Sequence, residues 1–136
     1  MEAVERSKDN QKNNLGVKYE TVLPEEVNLW FPACPESDFP SDGGLCILYQ
    51  GLQIAVFNFS RRKEWYATQN ECPHKKQMIL SRGMIGSEGG EPKVACPFHK
   101  KTFSLKSGEN INGEECSLAT YPVKVEDGMV YVGFNT

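Results

Sequence analysis

A secretion signal, a membrane-length apolar run, a basic excess, a nucleotide-binding glycine motif and a sustained helical periodicity are all missing from this sequence. The opening residues, MEAVERSKDNQKNNLG, are polar and charged, with no apolar stretch or small-residue cleavage site, so no export signal is read there. The longest apolar run, Leu45 to Phe59, is interrupted by Gln50, Gly51, Gln53 and Asn58 and falls far short of a membrane span. These two absences point to a soluble, cytoplasmic protein. A formal charge of -3 leaves no basic stripe for a nucleic acid backbone. Neither Gly-x-Gly-x-x-Gly nor a P-loop occurs, so the chain is not expected to bind a flavin or nicotinamide of its own. Five cysteines make an odd count, which in a reducing compartment favours metal ligands and buried thiols over a disulfide framework.

What is present is a chain of 136 residues, about one domain long and able to form a hydrophobic core without disulfide staples. Residues 1–14 offer almost no apolar side chains to offset the entropy of ordering, so they are expected to be a flexible tail. Residues 15–136 read as one domain. No internal repeat is found. From Val17 onward, short β-prone runs alternate with turn residues, which predicts an all-β fold. Leu45 to Tyr49 and Leu52 to Phe57 flank Gln50-Gly51, while Tyr121 to Glu126 and Met129 to Gly133 flank Asp127-Gly128, and each pair predicts a hairpin. The stretch from Phe31 to Gly44, with three prolines and two glycines, predicts a loop, and Pro24 to Leu29 at most a short helical turn.

Both histidines of the chain follow a cysteine by two or three residues, in Cys72-Pro73-His74 and Cys96-Pro97-Phe98-His99. Two loops that each supply one thiolate and one imidazole suit a two-iron cluster with two cysteines on one iron and two histidines on the other. A proline after each cysteine fixes the turn and leaves one N–H fewer to satisfy beside the sulfurs. Gly83, Gly86, Gly89 and Gly90 make the intervening segment turn-rich, as converging loops require. A tetrahedral zinc site also takes two cysteines and two histidines, although zinc fingers more commonly pair Cys with Cys and His with His. A reading with no metal leaves the spacing of these four residues without a packing reason.

The boxes Cys-x-His and Cys-x-x-His resemble those of the Rieske [2Fe-2S] family, over roughly Val17 to Phe134. The segment LSRGMIGSEGGEPKVACPFHKKTFSLKSGE, residues 80–109, is further similar to the small subunit of cytoplasmic NAD(P)H-dependent nitrite reductase, through Leu80-Ser81-Arg82-Gly83, His99-Lys100 and Phe103-Ser104-Leu105-Lys106-Ser107-Gly108. This resemblance implies an antiparallel β-sandwich with an inserted cluster-binding portion at about residues 72–104. It implies one [2Fe-2S] cluster held by Cys72, His74, Cys96 and His99, and a partner in the form of a large catalytic subunit bearing flavin, sirohaem and another iron-sulfur cluster. By the same resemblance the chain is a subunit that is not catalytic alone. A free-standing Rieske ferredoxin that donates electrons to an oxygenase uses the same ligands and stays open as the alternative, as does a structural or sensory cluster.

High-potential members carry an extra cysteine in each box and a serine and a tyrosine near the sulfurs. Here Gln77 and Phe98, and Lys101 and Phe103, stand at those positions. No disulfide is therefore expected, and the potential is expected toward the low end of a span of about -150 to +300 mV. An oxygenase needs a second iron on two histidines and a carboxylate, but both histidines are already assigned to the cluster. Cys34, Cys46 and Cys116 receive no role. Lys75, Lys76, Lys100 and Lys101 follow the histidines and form a candidate docking face, against the plainer reading of solvated loop lysines. Arg61, Arg62 and Lys63 read as a solvated hairpin loop. Phe57, Trp65, Tyr66, Phe98 and Phe103 are core candidates, and Trp30 and Phe31 either cap the core or anchor a partner.

Overall fold

The computed structural model describes residues 18–73, 76–98 and 101–136. In chain order the strands are β1 (Leu29–Pro35), β2 (Gly43–Tyr49), β3 (Leu52–Phe59), β4 (Glu64–Gln69), β5 (Glu71–Cys72), β6 (Gln77–Met78), β7 (Met84–Glu88), β8 (Glu91–Ala95), β9 (Thr102–Ser104), β10 (Thr120–Tyr121), β11 (Val123–Glu126) and β12 (Met129–Phe134). Three short 3-10 turns, at Pro24–Glu26, Glu36–Asp38 and Leu80–Arg82, are the helical elements among the described residues. All strand pairs there are antiparallel. The fold is all-β, as the sequence predicts. The tail expected at residues 1–14 lies outside the described residues.

Both predicted hairpins form. Tyr49 pairs with Leu52 across Gln50-Gly51, and Glu126 pairs with Met129 across Asp127-Gly128. All four turn residues take positive φ, the left-handed conformation whose turn suits the right-handed twist of the flanking strands. The second hairpin is shorter than predicted, because its first arm breaks at Pro122. Tyr121 pairs with Ala67 in one sheet, whereas Val123 pairs with Val132 in the other, so the chain changes sheets at the proline.

The predicted loop at residues 31–44 is corrected more substantially. Its first part is β1, which pairs with β12 through a register shift between Pro32 and Cys34. β1 is an edge strand of the sheet ordered β1-β12-β11. An edge strand has one side with no ladder to maintain, so prolines are tolerated there. At the other end, Gly43 and Gly44 belong to β2. A Cβ on Gly44 would lie 2.7 Å from the Ser81 carbonyl oxygen and 2.9 Å from the Phe57 ring, so this strand accepts only glycine there without displacement.

The sheets β1-β12-β11 and β10-β4-β3-β2 enclose one core, and β7-β8-β9 with the small β5-β6 hairpin builds a second one. The first holds Ile54, Val56, Val130, Val132 and an aromatic stack of Tyr49 on Phe134, centroids 3.8 Å apart. Phe31 meets Tyr49 edge-on at 5.1 Å, and so caps this core. Trp30 lies half-buried under Lys124, whose Nζ is 4.6 Å from the ring centre. The second core holds Ala55, Phe57, Leu80, Val94, Phe103 and Leu105 together with Cys72 and Cys96. Alternation along β3 serves both: Ile54 and Val56 face one core, Ala55 and Phe57 the other.

Burial raises three phenols: Tyr19 and Tyr66 each to about 12, and Tyr121 further still. Each folded pKa lies above the ordinary value near 10, so the native state holds its protons more tightly. The stability tied to these groups is whole below about pH 10 and is lost as pH rises through the shifted values. Denaturant midpoints taken from pH 8 to 12 are expected to hold level and then fall. A flat profile to pH 12 would contradict these burials.

Candidate metal centre

The cysteine of each box stands where a hairpin loop begins. In the first, Cys72 pairs with Gln77 between β5 and β6, and the Lys76 N–H donates to the Cys72 carbonyl at 2.7 Å. In the second, Ala95 pairs with Thr102 between β8 and β9, and the Cys96 N–H donates to the Lys101 carbonyl at 2.8 Å. Each cysteine thus forms the root of its loop. Lys76 has φ of +59°, which tightens the return of the first loop. His74, Lys75, His99 and Lys100 lie outside the described residues, which bracket them on both sides.

Cys72 and Cys96 are both fully buried at 0% exposure in the second core. The structure thus places the two predicted thiol ligands, from segments more than twenty residues apart, in one core. The Leu80–Arg82 turn falls between the two boxes in the sequence. A Cβ on Gly83 would lie 2.5 Å from the Ala95 carbonyl oxygen and 2.7 Å from Val94, so the turn abuts the strand that leads into Cys96. Phe103 is fully buried beside the second box, as predicted. Phe98 is not: it is 61% exposed, because it falls within the loop tip beyond the last paired residue.

The lysine face is also altered. Lys76 is exposed, but Lys101 is paired with Glu114 at 2.5 Å, which removes it from a set of available cations. Arg61 is exposed in the β3–β4 loop, in contact with Asp42 at 3.7 Å, whereas Arg62 donates to the Gly90 carbonyl at 3.1 Å and ties that loop to the β7–β8 turn. Cys34, Cys46 and Cys116 lie on three separate segments, and partial desolvation pushes the thiols of Cys34 and Cys46 up, away from reactivity at neutral pH.

Sequence reasoning missed the three polar residues that precede Cys72. Gln69, Asn70 and Glu71 are all buried. Burial pushes the Glu71 carboxyl up, with Lys76 acting in the opposite sense. The available signal was a run of polar side chains at the end of the strand pattern, directly before a ligand box.

A β-sandwich with two sheltered thiols at the roots of two hairpin loops, each followed in the sequence by a histidine, suits an iron-sulfur electron carrier. The family model for the Rieske-like [2Fe-2S] domain matches residues 29–133, and the chain belongs to that family. Its cofactor is one Rieske-type [2Fe-2S] cluster. The described donors fit: two soft thiols, rooted in braced loops and closed off from water.

The chain is 34% identical over 104 residues to the nitrite reductase (NADH) small subunit of Salmonella typhimurium, covering 76% of this chain and 96% of that protein. It is 34% identical over 101 residues to the 3-phenylpropionate/cinnamic acid dioxygenase ferredoxin subunit of Shigella flexneri, covering 74% and 89%. The crystal structure described as an NADH-dependent nitrite reductase small subunit from Mycobacterium tuberculosis superposes with a TM-score of 0.74 at 27% identity, covering 79% and 96%. Against the nitrite reductase large subunit of Klebsiella oxytoca the identity is 36% over 84% of this chain, but the chain spans only 12% of that protein's length. Among the described residues, no helix is long and apolar enough to cross a membrane.

Proposed function

We propose that this chain is the small, electron-transferring subunit of a cytoplasmic NAD(P)H-dependent nitrite reductase, which forms ammonia from nitrite. The observation that carries the reading is the match to almost the whole length of a nitrite reductase small subunit. In this reading Cys72, His74, Cys96 and His99 hold the cluster. One-electron transfer is the chemistry the cluster supplies when bound. The chain's own task is to keep both sulfurs dry, hold the two tips in register and present the exposed tip, with Phe98 and Lys76, to the partner. The partner is a large catalytic subunit with flavin and sirohaem, and the chain is not catalytic alone. Residues 15–136 form the Rieske domain, with residues 72–104 as the cluster-binding portion.

The test is to mix the purified chain with the large subunit, follow co-elution, and measure ammonia formed from nitrite with NADH or NADPH. Co-elution and nitrite reduction that depends on the chain are expected. If the chain elutes alone and instead accepts electrons from a separate reductase and passes them to an oxygenase, the ferredoxin reading, supported by the likeness to a dioxygenase ferredoxin subunit, replaces it.

A further inference from the structure

The first cluster loop is held by the two residues that lead into it. Gln69 is the last residue of β4 and Asn70 stands in the bend that follows, and both are buried, at 1% and 2% exposure. The Gln69 amide donates from Nε2 to the Glu71 carbonyl at 2.8 Å and accepts at Oε1 from the Ala119 N–H at 2.8 Å. Its backbone N–H donates to the Ala119 carbonyl at 3.0 Å.

Asn70 Nδ2 donates to Gln53 Oε1 at 3.0 Å, and Asn70 Oδ1 accepts from the Ser81 N–H at 2.7 Å. The backbone of Asn70 repeats the pattern. Its N–H donates to the Gln53 carbonyl at 2.8 Å, and its carbonyl accepts from the N–H groups of Ile79 and Leu80, both at 3.0 Å. Residue 70 therefore joins β3 to residues 79–81, beyond the first box, from a position two residues before Cys72.

We infer that Gln69 and Asn70 are positioning residues for the cluster: the two buried amides clamp the first hairpin tip to β3, to the segment before β10 and to the Leu80–Arg82 turn, and so fix where the Cys72 sulfur stands. Neither side chain is a ligand. Buried amides are costly to leave unsatisfied, and here each one is engaged at both its donor and its acceptor end. A side chain needed only to fill space would be apolar, like its neighbours in the second core. The inference rests on the cluster reading of Cys72. Asn70→Ala removes the side-chain links to Gln53 and Ser81 at once and leaves the backbone bonds of residue 70 and the Gln69 amide to hold the loop.

The experiment compares wild-type protein, Asn70→Ala, Gln69→Ala and Gln53→Met, reconstituted anaerobically, with Val130→Ala as a control for a buried change in the other core. Iron per chain, the low-temperature paramagnetic resonance spectrum of the dithionite-reduced state, the reduction midpoint and the rate of cluster loss to an iron chelator are measured on each. Asn70→Ala and Gln69→Ala are expected to lose the cluster about ten-fold faster than wild type, with broadened or shifted g values and a displaced midpoint. Gln53→Met, which leaves the strand-side partner missing but the loop intact, is expected to move the same readouts in the same direction by less, and it decides the matter should the other two fail to fold. Val130→Ala is expected to lower thermal stability and leave spectrum and midpoint at wild-type values. Variants that lose stability but keep the wild-type spectrum, midpoint and release rate would overturn the inference. A wild-type protein that binds no iron would instead remove the cluster reading on which it stands.

Discussion

Replacing Cys96 by alanine is expected to give a colourless protein whose iron content falls from two per chain toward zero, while the strand signature in circular dichroism persists. The expectation follows from where the residue stands. Cys96 is fully buried in the second core, its N–H closes the second loop, and alanine keeps both that bond and most of the packing. What is lost is the sulfur, and with it one of two protein bonds to one iron. Cys72→Ala should behave alike. Cys34→Ala supplies the contrast, since Cys34 lies on β1 and packs against the first core, and it should retain full iron and an unchanged spectrum. Iron and absorption counted on the three variants side by side check this. A Cys96→Ala protein that keeps both irons would remove Cys96 from the ligand set.

The largest effect on folding is expected from a residue with no side chain. Gly108 has φ of +81°, and a Cβ there would lie 2.1 Å from the Leu118 carbonyl oxygen and 3.1 Å from its carbon. Both neighbours are backbone, so neither moves aside cheaply. The approach is fixed by hydrogen bonds on both sides: Leu118 N–H donates to the Gly108 carbonyl at 2.7 Å, and Gly108 N–H to the Ser104 carbonyl at 2.9 Å. Gly108→Ala thus adds left-handed strain to a steric clash, and is expected to destabilise the protein by about 3 kcal/mol or more. For a domain of this size that corresponds to a melting temperature lower by roughly 10 °C. Gly113→Ala is the matching control, because Gly113 also has positive φ, +91°, but a Cβ there meets nothing within 4 Å. Equal melting temperatures for the two variants would show that the close approach to Leu118 does not exist in solution.

The class of fold and the family were legible in the sequence because both are written locally. Alternating apolar residues around Gln50-Gly51 and Asp127-Gly128 specify hairpins within a dozen residues, and the cysteine boxes specify their chemistry within four. Features that depend on position in the sheet were not legible. Pro32 and Pro35 argue against a strand unless that strand lies at an edge, and the edge is created by β12, almost a hundred residues later. Tyr121 and Val123 look like one arm until Pro122 is seen to divide them between sheets. Phe98 reads as core by composition, yet it falls in a tip that no strand covers. Lys101 reads as an available cation until Glu114, thirteen residues away, is found against it. The amide pair Gln69 and Asn70 is the deepest case, since its partners at 53, 79 to 81 and 119 come from three different segments.

The two-faced strand β3 limits how far this molecule can be treated as modular. Leu52, Ile54 and Val56 are packed into the sandwich, while Ala55, Phe57 and Phe59 are packed toward the cysteines. A graft of residues 72–104 onto another scaffold would arrive without its floor, and a sandwich stripped of those residues would show water three side chains that are now dry. Amide hydrogen exchange along β3 should accordingly slow at both cores in step when iron is bound, so that metal loading is felt throughout the chain and not at its tip alone.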